Sequence, residues 1–364
     1  MTASHALPLE SWNRSGIDPL FASRYPRLLE VEAVLAGKTR GALYVDRRTR
    51  PRAAALNVGA GWHVVGRPDS GFLQSINRLL PRDTYSILIL PEAQTREWLP
   101  LLSENLYFVR ARSRYAERTG AAAREVPCPQ GYRLKPIDGA LLGGGAAGID
   151  DLKARILNTW NSLEDFQTEG FGFVLLHESK IVGCSLTDYV CGNRCEIGVE
   201  IDGEHRLQGL GTFVATSTAN EALVRGIHRV GWMSWASNHG SVAVSRNAGF
   251  LDVCEYDVYI NHWPAENPSD LTQEEFRAFA EDYEDRFSKD PPSDSGYPHI
   301  VAATAWALAG SGQKCRAQLH CAIDMGWLRT VDQLHDLWPE LFDAEGRTRR
   351  QPWVELLCRL EQVP

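Results

Sequence analysis

Apolar positions change their spacing along this chain, and each change marks an element. Residues 27–37, RLLEVEAVLAG, repeat at helical spacing and end on Gly37, a residue suited to the left-handed closure of a helix. Residues 42–59 alternate instead, with Leu43 and Val45 on one run, Ala55, Leu56 and Val58 on the other, and RRTRPR between them. That pattern predicts a hairpin. SILILP at 86–91 is a compact apolar run and predicts a buried strand. ERTGAAAREVPCP (118–130) reads as a linker, after which GYRLKPID (131–138) opens a second series. It continues with a flexible stretch at 139–150, a helical pattern at 152–170, and strands at 172–179, 181–190 and 195–202. A glycine-rich turn, a helix to Gly226, a strand at 231–237, a helix to Ala248 and a strand at 252–260 complete it. The order β, α, ββ, β, α, β, α, β predicts an α+β domain with a mixed sheet, not a regularly alternating doubly wound one.

Pro264, Pro268, Pro291, Pro292 and Pro298 then punctuate the chain, and ten acids face three bases between Glu266 and Asp294. Most of the net charge of −8 sits there, and LTQEEFRAFAEDYEDRF predicts a solvated helix. Residues 299–360 return to helical spacing. A length of 364 residues suits two or three domains, and the shifts in pattern divide it into 1–125, 126–262 and 263–364. With 44% apolar and 23% charged residues the chain is neither collagenous nor disordered throughout. No apolar run reaches the roughly 18 residues of a membrane span, and the first residues lack a secretory pattern. Eight cysteines read as reduced thiols of a cytoplasmic protein, and the acidic balance argues against a dedicated nucleic-acid binder.

The stretch with chemical content is CEIGVEIDGEHRLQGLGTF, residues 195–213. An alternating strand runs into Arg206-Leu207-Gln208-Gly209-Leu210-Gly211-Thr212 and then a helix. Gly209 and Gly211 let backbone approach a ligand closely. The orphan N–H groups and partial positive charge at the helix start make a cradle for a diphosphate, with Arg206 at its rim. About thirty residues on, a strand ends at Asn238, Ser241 opens a short helix, and Gly249-Phe250 turns into the last strand.

Arg206-x-x-Gly209-x-Gly211, followed by Asn238-x-x-Ser241 and Gly249-Phe250, resembles the two cofactor motifs of GNAT N-acetyltransferases. The resemblance implies a GNAT fold over 131–262: a mixed, splayed β-sheet with flanking helices. Residues 20–262, including LAGKTRGALYVD, are similar to a bacterial GNAT family that contains the zwittermicin A self-resistance acetyltransferases. This implies that 1–125 is a degenerate GNAT-like α/β half without the cofactor loop. The tail, with Ala302, Ala305, Leu308, Ala322, Ile323, Gly326-Trp327, Trp353 and Leu356-Leu357, resembles the end of a tetratricopeptide array. At one to two repeats it is too short to stand alone. It would pack on the enzyme, join a homodimer or contact another protein.

The family implies an acyl-CoA donor such as acetyl-CoA and a small-molecule amine acceptor such as an antibiotic or a natural-product intermediate. It implies that the backbone N–H of Gln208, Gly209, Leu210, Gly211 and Thr212 hold the diphosphate. The N–H of Val199 or Ile201 would meet the thioester carbonyl. By strand alternation Glu196, Glu200 and Asp202 share a face, and the resemblance makes Glu196 or Glu200 the general base. The tyrosine that protonates the departing thiolate in many relatives is replaced here by Ser245, which leaves Tyr256, Tyr259 or water. Asn238 and Ser241 would contact the donor arm; Trp160 and Asn161, with Phe166, would line the acceptor site. His205 neighbours the loop. Cys191 and Cys195 bracket a turn that a disulfide could close, and no set of residues has metal-ligand spacing.

Two other functions compete. An aminoacyl-tRNA-dependent transferase on a tandem GNAT scaffold would use Arg47, Arg48, Arg50 and Arg52, Arg110, Arg112 and Arg114, or Arg347, Arg349 and Arg350 against RNA phosphates. A non-catalytic CoA-binding scaffold or sensor would need no base.

Overall fold

The computed structural model describes residues 5–9, 14–22, 28–82, 84–104, 106–120, 123, 126–262, 264–265, 271–289 and 296–325. Gly326-Trp327, Trp353, Leu356-Leu357, Arg347, Arg349 and Arg350 lie outside these residues.

In chain order the elements are β1 (Leu7–Pro8), α1 (Arg14–Ala22), α2 (Leu29–Leu35), β2 (Ala42–Val45), β3 (Ala53–Val58), β4 (Gly61–Gly66), α3 (Ser70–Leu79), β5 (Ile87–Ile89) and α4 (Glu92–Leu102). There follow β6 (Phe108–Thr119), β7 (Tyr132–Pro136), α5 (Gly139–Leu142), α6 (Ile149–Leu157), α7 (Leu163–Glu169), β8 (Gly172–His177), β9 (Lys180–Cys191) and β10 (Arg194–Ile201). The series ends with α8 (Leu210–Val224), β11 (Arg229–Trp235), α9 (His239–Asn247), β12 (Leu251–Asn261), α10 (Gln273–Lys289), α11 (Tyr297–Leu308) and α12 (Gly312–Asp324). These fall into two compact units, one of 7–68 with 112–256, the other of 1–6, 69–111 and 257–364.

In the first unit β1 to β4 form an antiparallel ladder, with Leu43 opposite Leu56 and Ala54 opposite Val65. A second ladder runs β7-β8-β9-β10, all antiparallel. β10 then pairs with β11 in parallel, and β11 with β6 antiparallel. The sheet is therefore mixed, as its element order predicts. Helix α2 packs on β9 and β10. The apolar core is built from Ile156, Trp160, Phe166, Leu186, Ile197, Trp232 and Phe250 among others.

In the second unit β5 pairs with the end of β12, where Ser86 and Asn261 exchange hydrogen bonds. Helices α10, α11 and α12 close around Phe276, Tyr283, Ile300, Trp306 and Leu319.

Several expectations need correction. The 152–170 helix is two, broken where Ser162 caps α7 by accepting the Asp165 N–H. The flexible 139–150 contains α5, capped by Asp138. The acidic helix α10 is solvated on one face only, since Phe276, Phe279, Ala280 and Tyr283 are buried. Strand β6 was hidden because Arg110, Arg112 and Arg114 break its apolar pattern. These arginines meet Asp257, Glu255 and Asp252 on β12; Arg114 is buried in its pair, while Arg110 and Arg112 stay exposed. In the hairpin turn, Asp46 takes Arg47 and the backbone N–H of Arg52 and Ala53.

Candidate active site

Strand β10 carries the site because it loses a neighbour halfway along. Its pairing with β11 covers only Arg194, Cys195 and Glu196, although β10 continues to Ile201 and β11 to Trp235. On its other side β10 stays paired with β9 to the end. A notch therefore opens after Glu196. Backbone direction follows from one bond: the Asp202 N–H donates to Val182 O, towards β9. N–H groups alternate along a strand, so those of Ile201 and Val199 point the other way, into the notch. Arg206 Nε donates to the Ile201 carbonyl at 3.0 Å and ties the following loop to the notch rim.

That loop makes a left-handed bend, with φ +61° at fully exposed Leu207 and +77° at Gly209. Helix α8 then starts at Leu210 with no side-chain cap. Its first internal bond is Phe213 N–H to Gly209 O. Among the described residues no acceptor takes the N–H of Gln208, Gly209, Leu210, Gly211 or Thr212. A Cβ on Gly209 meets nothing, and one on Gly211 would come 3.2 Å from Val244 Cγ2. An uncapped helix start with free donors and no side chain over it is complementary to an anionic diphosphate, so the residues present fit coenzyme A. Asn238 accepts the Ser241 N–H at 2.9 Å and caps α9; the Ser241 hydroxyl accepts from Trp232 Nε1 at 3.0 Å.

Glu196, Gly198 and Glu200 share the face of β10 opposite Val199 and Ile201. Glu200 is exposed, whereas Glu196 is 4% exposed, with Oε2 unpartnered. The expected polar strand face is thus half covered. Burial, then the neighbouring Glu30 and Asp188 carboxylates, push the Glu196 carboxyl well above its ordinary range. Asp188 is the extra residue of a bulge in β9. It pairs with Arg155 Nη2 at 2.6 Å, and the pair sits over Gly198, where an added Cβ would lie 2.2 Å from that nitrogen. Arg155 and Asp188 carry no sequence signal, being 33 residues apart and brought together by the bulge.

Other expected residues are used differently. Trp160 is 3% exposed and donates from Nε1 to Thr187 O, so it is a core residue and not a cleft wall. Asn161 is held by the 37–40 turn: its carbonyl accepts from Arg40, and its amide donates to Gly37 O. Tyr256 donates to Met233 Sδ. It lies on β12, two strands from β11, and its hydroxyl reaches the part of β11 that runs on past the pairing with β10. Tyr259 faces Leu88 across β5 in the second unit. Ser245 is fully buried, donating to Val242 O and accepting from Arg114. Burial pushes the Cys184 thiol up to about 12, unfit as a nucleophile at neutral pH. Cys191 faces Arg194 across the turn, which puts Cys195 on the opposite face, and no disulfide joins them.

A family model described as GNAT acetyltransferase matches residues 19–259. The chain is 24% identical over 252 residues to the uncharacterized N-acetyltransferase YdfB of Bacillus subtilis (strain 168), covering 67% of this chain and 94% of that protein. It is similar in fold to a GCN5-related N-acetyltransferase-like protein from Streptococcus suis, with TM-score 0.54 and 19% identity, over 67% of this chain and 96% of that one.

Proposed function

The chain belongs to the GNAT acetyltransferase family and is an acyltransferase of that type; we propose that it acylates a primary amine of a small molecule, such as an antibiotic or a natural-product intermediate, in a ternary complex with acyl-CoA. One observation carries this reading: the notch exposes the N–H of Val199 and Ile201, and at its rim stands the uncapped start of α8. The bound donor supplies an activated thioester. The N–H groups from Gln208 to Thr212 and Arg206 hold its diphosphate. Val199 or Ile201 donates to the thioester carbonyl, where negative charge grows during attack. Asn238 and Ser241 fix the α9 side of the notch, each through the bond it makes there.

Glu196 is the base of this scheme. It stands where the notch begins, and its raised carboxyl is closer in basicity to an amine than an ordinary glutamate is. An unpartnered buried carboxyl oxygen is costly to keep, about 1–3 kcal/mol, which a catalytic role accounts for. Exposed Glu200 is the alternative. With Ser245 buried, either water or Tyr256, whose hydroxyl meets Met233 on the β11 side of the notch, protonates the leaving thiolate. In the same reading the chain comprises a degenerate acetyltransferase-like half (1–125), a catalytic domain (126–262) and a helical tail of tetratricopeptide-like spacing (263–364).

Calorimetric titration with acetyl-CoA, then an amine panel followed by release of free thiol, tests the reading. Binding with turnover is expected. Binding with no turnover on any amine would favour a CoA-binding sensor, and absence of binding refutes the donor assignment.

A further inference from the structure

Beside the cradle lies a cluster that the proposed chemistry does not use. His177 ends β8 and His205 sits in the turn before the loop, with ring centroids 5.1 Å apart. Tyr132, the first residue of β7, lies against both, at 5.2 Å from His177 and 5.6 Å from His205. Its hydroxyl meets His205 Nδ1 at 2.8 Å and Gln208 Oε1 at 3.0 Å. Gln208 is itself one of the residues of the cradle, so the cluster is mechanically joined to it. Tyr132 occupies Nδ1 of His205, which leaves Nε2 as the free polar atom of that ring. The imidazole of His177 has no hydrogen-bond partner among the described residues.

The surrounding charges are already committed. Arg133 donates to Glu178 O, Lys180 pairs with Asp202 at 2.8 Å and also feels Glu204, and Arg206 belongs to the diphosphate cradle. Two imidazoles this close repel each other when both are protonated. A dianion beside them removes that penalty and accepts a charge-assisted bond from each.

We propose that His177 and His205, with Tyr132 positioning His205, form a phosphomonoester site that reads the ribose 3′-phosphate of coenzyme A. The inference rests on the donor assignment above. It makes the enzyme discriminate coenzyme A from otherwise identical donors lacking that phosphate. A phosphomonoester is still largely dianionic at about pH 6.5.

The test compares calorimetric affinities of coenzyme A and dephospho-coenzyme A for the full chain and for His177→Gln, His205→Gln and Tyr132→Phe. For the unaltered chain coenzyme A is expected to bind about tenfold tighter at pH 6.5, a value typical of one charged hydrogen bond. In both histidine variants the ratio should fall towards one, with dephospho-coenzyme A affinity retained, which also shows that the variants are folded. Tyr132→Phe keeps the ring and should lose part of the ratio. An unchanged ratio in the histidine variants, or an equal loss for both nucleotides, overturns the site. If neither nucleotide binds the unaltered chain, the donor assignment itself fails and takes this inference with it. Inorganic phosphate at millimolar concentration should weaken coenzyme A binding and leave dephospho-coenzyme A unaffected; the reverse pattern also counts against the proposal.

Discussion

Replacing Gly209 by aspartate and, separately, by asparagine isolates the charge that the α8 cradle receives. Gly209 has φ +77°, and a Cβ there meets no atom within 4 Å. Neither side chain is blocked, and both incur the same left-handed backbone cost of about 1 kcal/mol, at the low end because Asn and Asp tolerate this region. For folding, aspartate is the better of the two, since a carboxylate at a helix start gains about 0.3–1 kcal/mol. For binding it is the worse. A carboxylate about 5 Å from a phosphate charge repels it by about 1–3 kcal/mol for effective dielectric constants between 80 and 20. The diphosphate brings two such charges, so Gly209→Asp should bind acetyl-CoA roughly 30-fold or more weakly than Gly209→Asn. The gap should narrow in about 0.5 M salt, where screening acts within a few ångströms. Calorimetry at low and high salt, beside urea unfolding of both variants, measures the two effects. Their opposite signs matter: equal acetyl-CoA affinities in two folded variants would mean that no phosphate lies near residue 209, and the cradle reading would be wrong.

Other consequences follow from the covered face of β10. Because the folded-state carboxyl of Glu196 is raised, its contribution to stability is complete below its ordinary value of 4.5 and is lost as pH rises towards the raised value. Glu196→Gln should therefore gain stability relative to the parent between pH 5 and 8 in urea unfolding, while losing turnover; a pH-independent difference would contradict the burial. Gly198→Ala drives a Cβ into Arg155 and Asp188 and should cost about 1–3 kcal/mol by overpacking. Its turnover should fall with acetyl-CoA affinity within about twofold of the parent; intact turnover would show that the ion pair has no part in the site. Trp160→Phe leaves Thr187 O without its donor and should lower unfolding free energy by about 1–3 kcal/mol. A selective rise in the amine KM, with stability unchanged, would return Trp160 to the acceptor cleft.

The sequence by itself determined what short-range rules govern. The alternation of 195–202, the Arg206-to-Thr212 turn and the apolar run behind it fix a strand, a left-handed bend and a helix within twenty residues. Gly209 and Gly211 are legible there because backbone conformation is a local property. The element order also implies a mixed sheet. Tertiary structure decided the rest. Whether Glu196 is an exposed or a sealed acid depends on α2, some 160 residues earlier, packing on β9 and β10. Arg155 meets Asp188 only through a bulge in β9. Trp160 turned inward because its indole found the Thr187 carbonyl. Tyr132, His177 and His205 converge because β7, β8 and the turn after β10 end on the same side of an antiparallel ladder. Burial, and the pairing of charges across distant segments, are set by which surfaces meet, and that is a property of the whole chain's packing, not of any window along it.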